Sequence, residues 1–266
     1  MSAGMSGPGL EISSAWVAVG ADEQVPTVSG PDRVGPIAST AKVAVLATLA
    51  MALDRGDVDP TEPLSLPATG RVGGTGLLQA MTVSSAALHD LAVLTAGVSD
   101  NVATNVIIRR LGLAAVGEQL ARSGVPDVVV LDVVRDDRDA TVPPAFAVGT
   151  ARGLCRMMAS VGAGAGITSP ARSLLLGWMR HNQDRAYVPD AFVSAHPAVE
   201  VVNKTGTDAG VLADTGLVLG GDVDLAYAVV ARWSGDDAAN RSRAASAFRA
   251  FGADLVALAG AARPGS

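Results

Sequence analysis

The chain holds one cysteine, Cys155, so no disulfide can close within it. Aromatic residues make up 3% of its 266 residues, and the core must therefore be assembled from alanine, valine, leucine and isoleucine. Charged residues are sparse as well, at 17% against 49% apolar, a balance that permits a large core and excludes global disorder. The formal net charge is −6, and no basic run is interleaved with aromatics, which argues against a nucleic-acid surface. No basic residue precedes Arg33, and no apolar run of signal-peptide length opens the chain. No window has the length and apolarity of a membrane span; the Ala/Val-rich run after Ser39 contains Lys42 and ends at Asp54. The expected location is the cytoplasm, with secretion following only if a leader has been removed. No His, Cys, Asp or Glu cluster has metal-ligand spacing, and no cofactor is expected. The setting of Cys155, Gly-Leu-Cys-Arg-Met-Met, suits a small apolar helix residue better than a reactive thiol.

Lysine is the other scarcity. Of the basic residues, only Lys42 and Lys204 are lysines, so ordinary surface positive charge is written as arginine. A lysine retained in such a chain marks a place where arginine fails. Only lysine can be made neutral to act as a base, and only its ammonium is a compact point charge.

The coarse pattern predicts a β-hairpin at the start, with a strand over Ala15 to Gly20, a turn at Ala21 to Glu23 and a second strand over Val25 to Val28. A helix over Ser39 to Arg55 is apolar on nearly all faces, which places it at the centre of a domain. Helical patterns follow over Ser84–Val98, Val102–Leu111, Ala114–Ser123, Pro144–Ser160 and Pro170–Arg180, with a short extended run over Asp127–Val133. The Gly-rich piece at 161–166 reads as a connector. Strands over Val199–Asn203, Gly210–Leu219 and Asp224–Arg232 precede a final helix over Asn240–Ala259. The expectation is an α/β (α+β) fold with an antiparallel sheet from N- and C-terminal strands, flanking helices and a helical lobe. A single domain over 10–266 would divide into an α/β lobe (about 10–45 and 195–266) and a helical lobe (about 46–194), after a flexible N-terminus at 1–9. The cleft between lobes is the natural place for a site.

Three short motifs carry chemistry. In Ser39-Thr40-Ala41-Lys42 the i, i+3 spacing puts both side chains on one face of a helix. Ser39 at a helix start meets unpaired N–H groups that favour developing negative charge. A serine hydroxyl needs a base to attack, and a lysine desolvated among Ala41, Val43, Ala44 and Val45 has its pKa lowered toward that use. Lys204 would push the same way. Ser99-Asp100-Asn101, 60 residues on, offers a hydroxyl to relay a proton to a leaving nitrogen and an amide for a substrate carbonyl, with Asp100 turned inward. Lys204-Thr205-Gly206, a further 105 residues on, ends a strand with a cation and hydroxyl for a substrate carboxylate. Gly206 would let a substrate lie close to that strand, and the N–H of Thr207 would be a second oxyanion donor. Taken singly, each motif also reads as a helix cap, a snorkelling lysine or a plain strand end. Together they occur in order, and the only two lysines fill both lysine positions.

The set resembles that of the serine β-lactamase and penicillin-binding-protein superfamily, closest to the class A β-lactamases, from about Ala15 to Ala259. Gly73-Gly74-Thr75-Gly76-Leu77-Leu78-Gln79 is similar to the stretch before the helix leading to Ser99. Arg138-Asp139-Ala140-Thr141-Val142-Pro143 is similar to the end of the family's Ω loop. The resemblance implies a two-lobed fold, a small-molecule acyl substrate, Ser39, Lys42, Ser99 and Lys204 as catalytic residues, and Asn101, Thr205, Gly206 and Thr207 as substrate-binding ones.

The chain departs from class A at one point. That family carries a Glu-x-x-x-Asn in the Ω loop whose Glu activates the deacylating water. The five glutamates here, Glu11, Glu23, Glu62, Glu118 and Glu200, all lie outside the candidate loop over Pro126 to Pro143. Asp136 or Asp137 is the candidate replacement, one methylene shorter, and Arg135 the candidate partner of Asp139. The expectation is acylation followed by slow deacylation. Three readings stay open: a β-lactamase-type hydrolase, an intracellular esterase, amidase or peptidase of the same fold, and a β-lactam-binding or sensor protein without turnover. A Ser-His-Asp hydrolase is weaker, because His89, His181 and His196 lack the Gly-x-Ser-x-Gly elbow. Tyr187 is a candidate auxiliary base, and Leu77, Leu78, Thr207, Asp208 and Arg232 are candidates to face the cleft.

Overall fold

The computed structural model describes residues 9–21 and 27–260. In chain order the elements are β1 (Leu10–Ala18), β2 (Thr27–Ser29), β3 (Gly35–Pro36), a 3₁₀ turn (Ala38–Ala41), α1 (Lys42–Asp54), β4 (Pro63–Ser65), β5 (Ser85–Ala87), α2 (Leu88–Gly97), α3 (Asn101–Leu111), α4 (Leu113–Arg122), β6 (Val128–Val130), β7 (Ala147–Gly149), α5 (Ala151–Ala163), α6 (Ser169–Met179), α7 (Val188–Ala195), β8 (Glu200–Asp208), β9 (Val211–Leu219), β10 (Leu225–Trp233) and α8 (Asp237–Ala259).

The main sheet has the order β2-β1-β10-β9-β8, with antiparallel pairing throughout, so strands from both ends of the chain share one sheet as expected. The alternation of side chains sorts its residues between two layers. Val202, Ala213, Leu217, Ala226, Ala228 and Val230 face the core that contains α1 and α5. Val201, Leu212, Val218, Tyr227 and Val229 face α7 and α8, where Phe192, Phe248 and Phe251 cover them. Helix α1 is buried from Lys42 through Ala50 and is enclosed by α2, α3, α4 and α6, which explains why its sequence has no polar face.

Several boundaries differ from the sequence reading. The first strand begins at Leu10 rather than Ala15, residues 22–26 of the proposed turn and second strand fall outside the described residues, and the flexible N-terminus does so over residues 1–8. Ser39 does not open an α-helix: Ala38–Ala41 form a 3₁₀ turn, and the α-helix begins at Lys42. The first residues of the helix expected at Ser84 are instead β5, paired with β4. The helix expected at Pro144 begins at Ala151, because Ala147–Gly149 pairs with β3 and β6, and Thr150 then caps α5 by accepting from Gly153 N at 2.8 Å. Helix α7 had no reading of its own.

Candidate functional site

The nucleophile candidate sits where three elements converge. Its preceding residue, Ala38, has φ of +46°, and Thr40 Oγ1 donates to Ile37 O at 2.6 Å, closing the turn. Lys42 N–H donates to Ser39 O, and because a 3₁₀ turn has three residues per turn, Ser39 and Lys42 stand one above the other. Strand β8, the edge of the main sheet, passes directly beside this turn. A Cβ on Gly206 would lie 2.8 Å from Ser39 N and 2.9 Å from Thr40 N. The glycine of the third motif is therefore needed for close packing of β8 on the serine turn, a physical reason different from the substrate approach read in the sequence.

Lys42 is fully buried, and its Nζ donates to Ser99 O (2.7 Å), Ser99 Oγ (3.1 Å) and Asn101 Oδ1 (2.7 Å). The ammonium is thus tied to the second motif rather than to Ser39. Burial pushes its pKa well below the ordinary lysine value, the nearby Lys204 charge pushes further, and Asp100 acts against both. Lys204 is also fully buried; its Nζ donates to Thr205 O at 2.8 Å, and burial lowers its pKa to about 8.

The second motif is held by strain and by a buried carboxylate. Ser99 has φ of +55°, and it and Ala38 are the two non-glycine residues with positive φ among the described residues. Both border the same cleft, a concentration of strained backbone expected where geometry serves a site. Asp100 is turned inward as anticipated: Oδ1 accepts from Ala103 N (2.9 Å) to cap α3, and Oδ2 accepts from Leu77 N (2.6 Å) and Leu78 N (2.8 Å). Gly76, with φ of +113°, lies where a Cβ would be 2.4 Å from that Oδ2. Asn101 Nδ2 donates to Gly73 O at 2.8 Å. The Gly73–Leu78 stretch is in this way suspended from Asp100 and Asn101.

Around Ser39 the surface opens into two adjoining cavities. One, of about 340 Å³, reaches Asn101, Val134, Arg135, Asp136, Thr207 and Asp208. The other, of about 310 Å³, reaches Ser99, Asn182, Gln183, Asp184, Thr205 and Thr207. One cleft thus gathers residues from all three motifs.

The model of the β-lactamase enzyme family matches residues 9–258, nearly the whole chain. The protein belongs to the β-lactamase enzyme family. No curated protein matches it. A β-lactamase from Sphaerobacter thermophilus is 23% identical, with 94% of this chain and 93% of that chain covered and a TM-score of 0.81. PBP-A is 25% identical over 95% of this chain and 91% of its own, with a TM-score of 0.81. A leucine-to-glutamate variant of PBP-A, solved as an acyl-enzyme complex with penicillin G, is 25% identical over 94% and 90%, at the same TM-score. The chain is a β-lactamase-like serine hydrolase of mixed α/β fold.

The loop after β6 borders the same cleft. Asp136 lines the Ser39 cleft, but its Oδ1 already accepts from Gly73 N at 2.7 Å. Asp137 is exposed and does not line the cleft. Arg135 pairs with Asp132 at 2.6 Å, together with Arg138 at 3.0 Å, and acts on Asp139 through its charge alone, while Asp139 accepts from Thr141 N and Oγ1. Val134 lines the Ser39 cavity as well, and its backbone is held by Asn105. Asn105, Val134 and Asp184 were not singled out from the sequence. Asn105 follows Asn101 by one helical turn on α3, a spacing that could have drawn attention to it.

Of the residues suggested to face the cleft, Thr207 and Asp208 do. Leu78 is buried in the core and Leu77 is exposed beyond the cleft. Arg232 instead donates to the carbonyls of Pro36, Gly35, Arg33 and Gly149, fastening β10 to the segment before the serine turn. Tyr187 packs edge-on against Phe248, with ring centroids 5.9 Å apart, away from both cavities. The Cys155 thiol is buried in the core and pushed up to about 12 by that burial. None of the three histidines lines either cavity. Among the described residues no group of three or more His, Cys, Asp or Glu could hold a metal ion, and no helix is long and apolar enough to cross a membrane.

Proposed function

We propose that Ser39 forms an acyl-enzyme with a β-lactam or a related amide or ester, and that release of the acyl group is slow. Ser39 Oγ attacks the carbonyl carbon and gives its proton to the neutral amine of Lys42. The N–H groups of Ser39 and Thr207 receive the developing oxyanion. Collapse breaks the bond to the leaving nitrogen or oxygen, which takes a proton from Lys42 through the Ser99 hydroxyl. Asn101 and Thr205 hold the substrate on either side, and Lys204 keeps Lys42 in its unprotonated form by like charge.

The observation that carries this reading is Lys42: fully buried, beside a second buried lysine, bonded to Ser99 and Asn101, and one 3₁₀ turn below Ser39. The penicillin complex of the PBP-A variant supports seeking the same adduct here. Slow release is supported by Val134 in the cleft and by the engagement of Asp136 with Gly73. Asp136 stays in this proposal as the one loop carboxylate at the cleft, and Asp137 as a solvated neighbour. The proposal also retains the cleft as the junction of an α/β lobe and a helical lobe.

Intact-protein mass spectrometry after mixing with penicillin G tests it. A long-lived adduct of penicillin mass, absent in Ser39→Ala, is expected. Neither adduct nor hydrolysis would overturn the whole reading, and rapid hydrolysis would overturn the slow release.

A further inference from the structure

On the Ser99 side of the cleft, where the leaving group would depart, one ionisable side chain lines the wall: Asp184. Lys204, read from sequence as the cation for a substrate carboxylate, does not reach that wall, being fully buried with its Nζ on Thr205 O. Asp184 is the foremost charge holding Lys204 protonated, with Asp214 second. Lys204 lies behind the wall with its ammonium turned to a backbone carbonyl, so the charged side chain at the surface of this half of the cleft is the carboxylate of Asp184.

The backbone of Asp184 is fixed while its carboxylate is left available. Its N–H donates to Asn182 Oδ1 (3.3 Å), and its carbonyl accepts from Asn182 Nδ2 (3.0 Å) and Asn203 Nδ2 (3.3 Å). Its carboxylate receives one long contact, from Ala186 N at 3.5 Å. The adjacent Arg185 points elsewhere, donating to Val201 O at 3.0 Å. No arginine lines this half of the cleft.

We infer that Asp184 sets the substrate class: the site takes acyl donors whose leaving group is cationic or neutral and discriminates against a carboxylate there. The inference rests on the acylation of Ser39 proposed above. A penicillin carries its carboxylate on the ring that holds the leaving nitrogen, so penicillins still acylate Ser39 but do so more slowly than esters or amides with a cationic leaving group.

The test uses three acetate esters, of 3-hydroxyphenyltrimethylammonium, of phenol and of 3-hydroxybenzoate. In each, the bond from the acetyl carbon to Ser39 Oγ forms, the aryl C–O bond breaks, and the serine proton ends on the phenolate. Acetylation rates of Ser39, read by mass spectrometry, are each divided by the ester's spontaneous hydrolysis rate. At low salt the cationic ester is expected to exceed the anionic one by about 10-fold or more, the size of one screened charge contact. The ratio is expected to fall toward one in 1 M salt and in Asp184→Asn. A ratio of one or below in the natural protein, or an unchanged ratio in Asp184→Asn, would overturn the inference. Failure of the neutral phenyl ester to label Ser39 would overturn it through the parent reading, and the neutral ester tells the two failures apart.

Discussion

Asn105 and Val134 hold each other by two reciprocal hydrogen bonds: Asn105 Nδ2 donates to Val134 O at 2.8 Å, and Val134 N donates to Asn105 Oδ1 at 2.7 Å. The clamp fixes one loop residue over the cleft, and that residue is apolar. A carboxylate introduced there would inherit a fixed backbone at the cavity that Ser39 lines. Val134→Glu is expected to shorten the lifetime of the penicillin adduct by about 100-fold, the lower end of what a positioned general base contributes. Val134→Gln matches the size without the basicity. Equal lifetimes in the Glu and Gln variants would show that Val134 is not the position where a base is missing.

Lys42 has a testable protonation state. As the base it acts when neutral, so acylation should follow its deprotonation, with an acid limb well below ordinary lysine titration. Lys42→Arg keeps a cation but cannot give up its proton, and acylation is expected to drop by about 1000-fold. In Lys204→Met the like charge that lowers the pKa of Lys42 is gone, so the acid limb should move to higher pH. A limb that stays in place would separate Lys204 from the control of Lys42.

The motifs that meet around the cleft were legible because lysine is so scarce here: Lys42 and Lys204 stood out, and each lay inside a motif. The sharing of one antiparallel sheet by strands from both ends of the chain was legible as well, whereas the order of its strands was not. The serine turn was not legible. Nothing local to Ala38 or Ser99 favours positive φ, and both conformations are imposed by the elements packed around them. Val134 was invisible for another reason. An apolar loop residue carries no chemical sign of its position, and only the clamp from Asn105 reveals it. Arg232 was misplaced because a strand arginine can point to a cleft or tie down a loop, and the sequence holds no measure of which.

Gly206 tests the packing of β8 on the serine turn. With Ser39 N at 2.8 Å and Ile37 O at 3.0 Å from an added Cβ, Gly206→Ala must push the strand and the turn apart. A loss of about 1–3 kcal/mol in urea unfolding is expected, typical of overpacking, together with loss of Ser39 acylation. Full acylation in the variant would show that the turn tolerates displacement.

The last prediction concerns Asp214, buried on the α7–α8 side of the sheet. Its carboxylate accepts from Asn203 Nδ2 (3.0 Å), Tyr227 OH (3.1 Å) and Val188 N (3.2 Å), yet burial outweighs these bonds and raises its pKa to about 7. The unfolded chain loses this proton near an ordinary aspartate value of about 4. Between the two values the native state binds a proton that the unfolded state has released, so stability falls as pH rises through that window. The contribution is complete below pH 4 and lost above about pH 7. Lys204, lowered to about 8, acts in a separate range, where stability rises with pH because the unfolded state binds the extra proton. Asp214→Asn keeps the shape of the protonated acid and removes its titration. Urea midpoints at pH 4.5 and 7.5 should therefore lie closer together in the variant than in the natural protein. Equal spacing in the two would mean that Asp214 is already ionised in the fold at the lower pH, with its three donors sufficient to hold the charge.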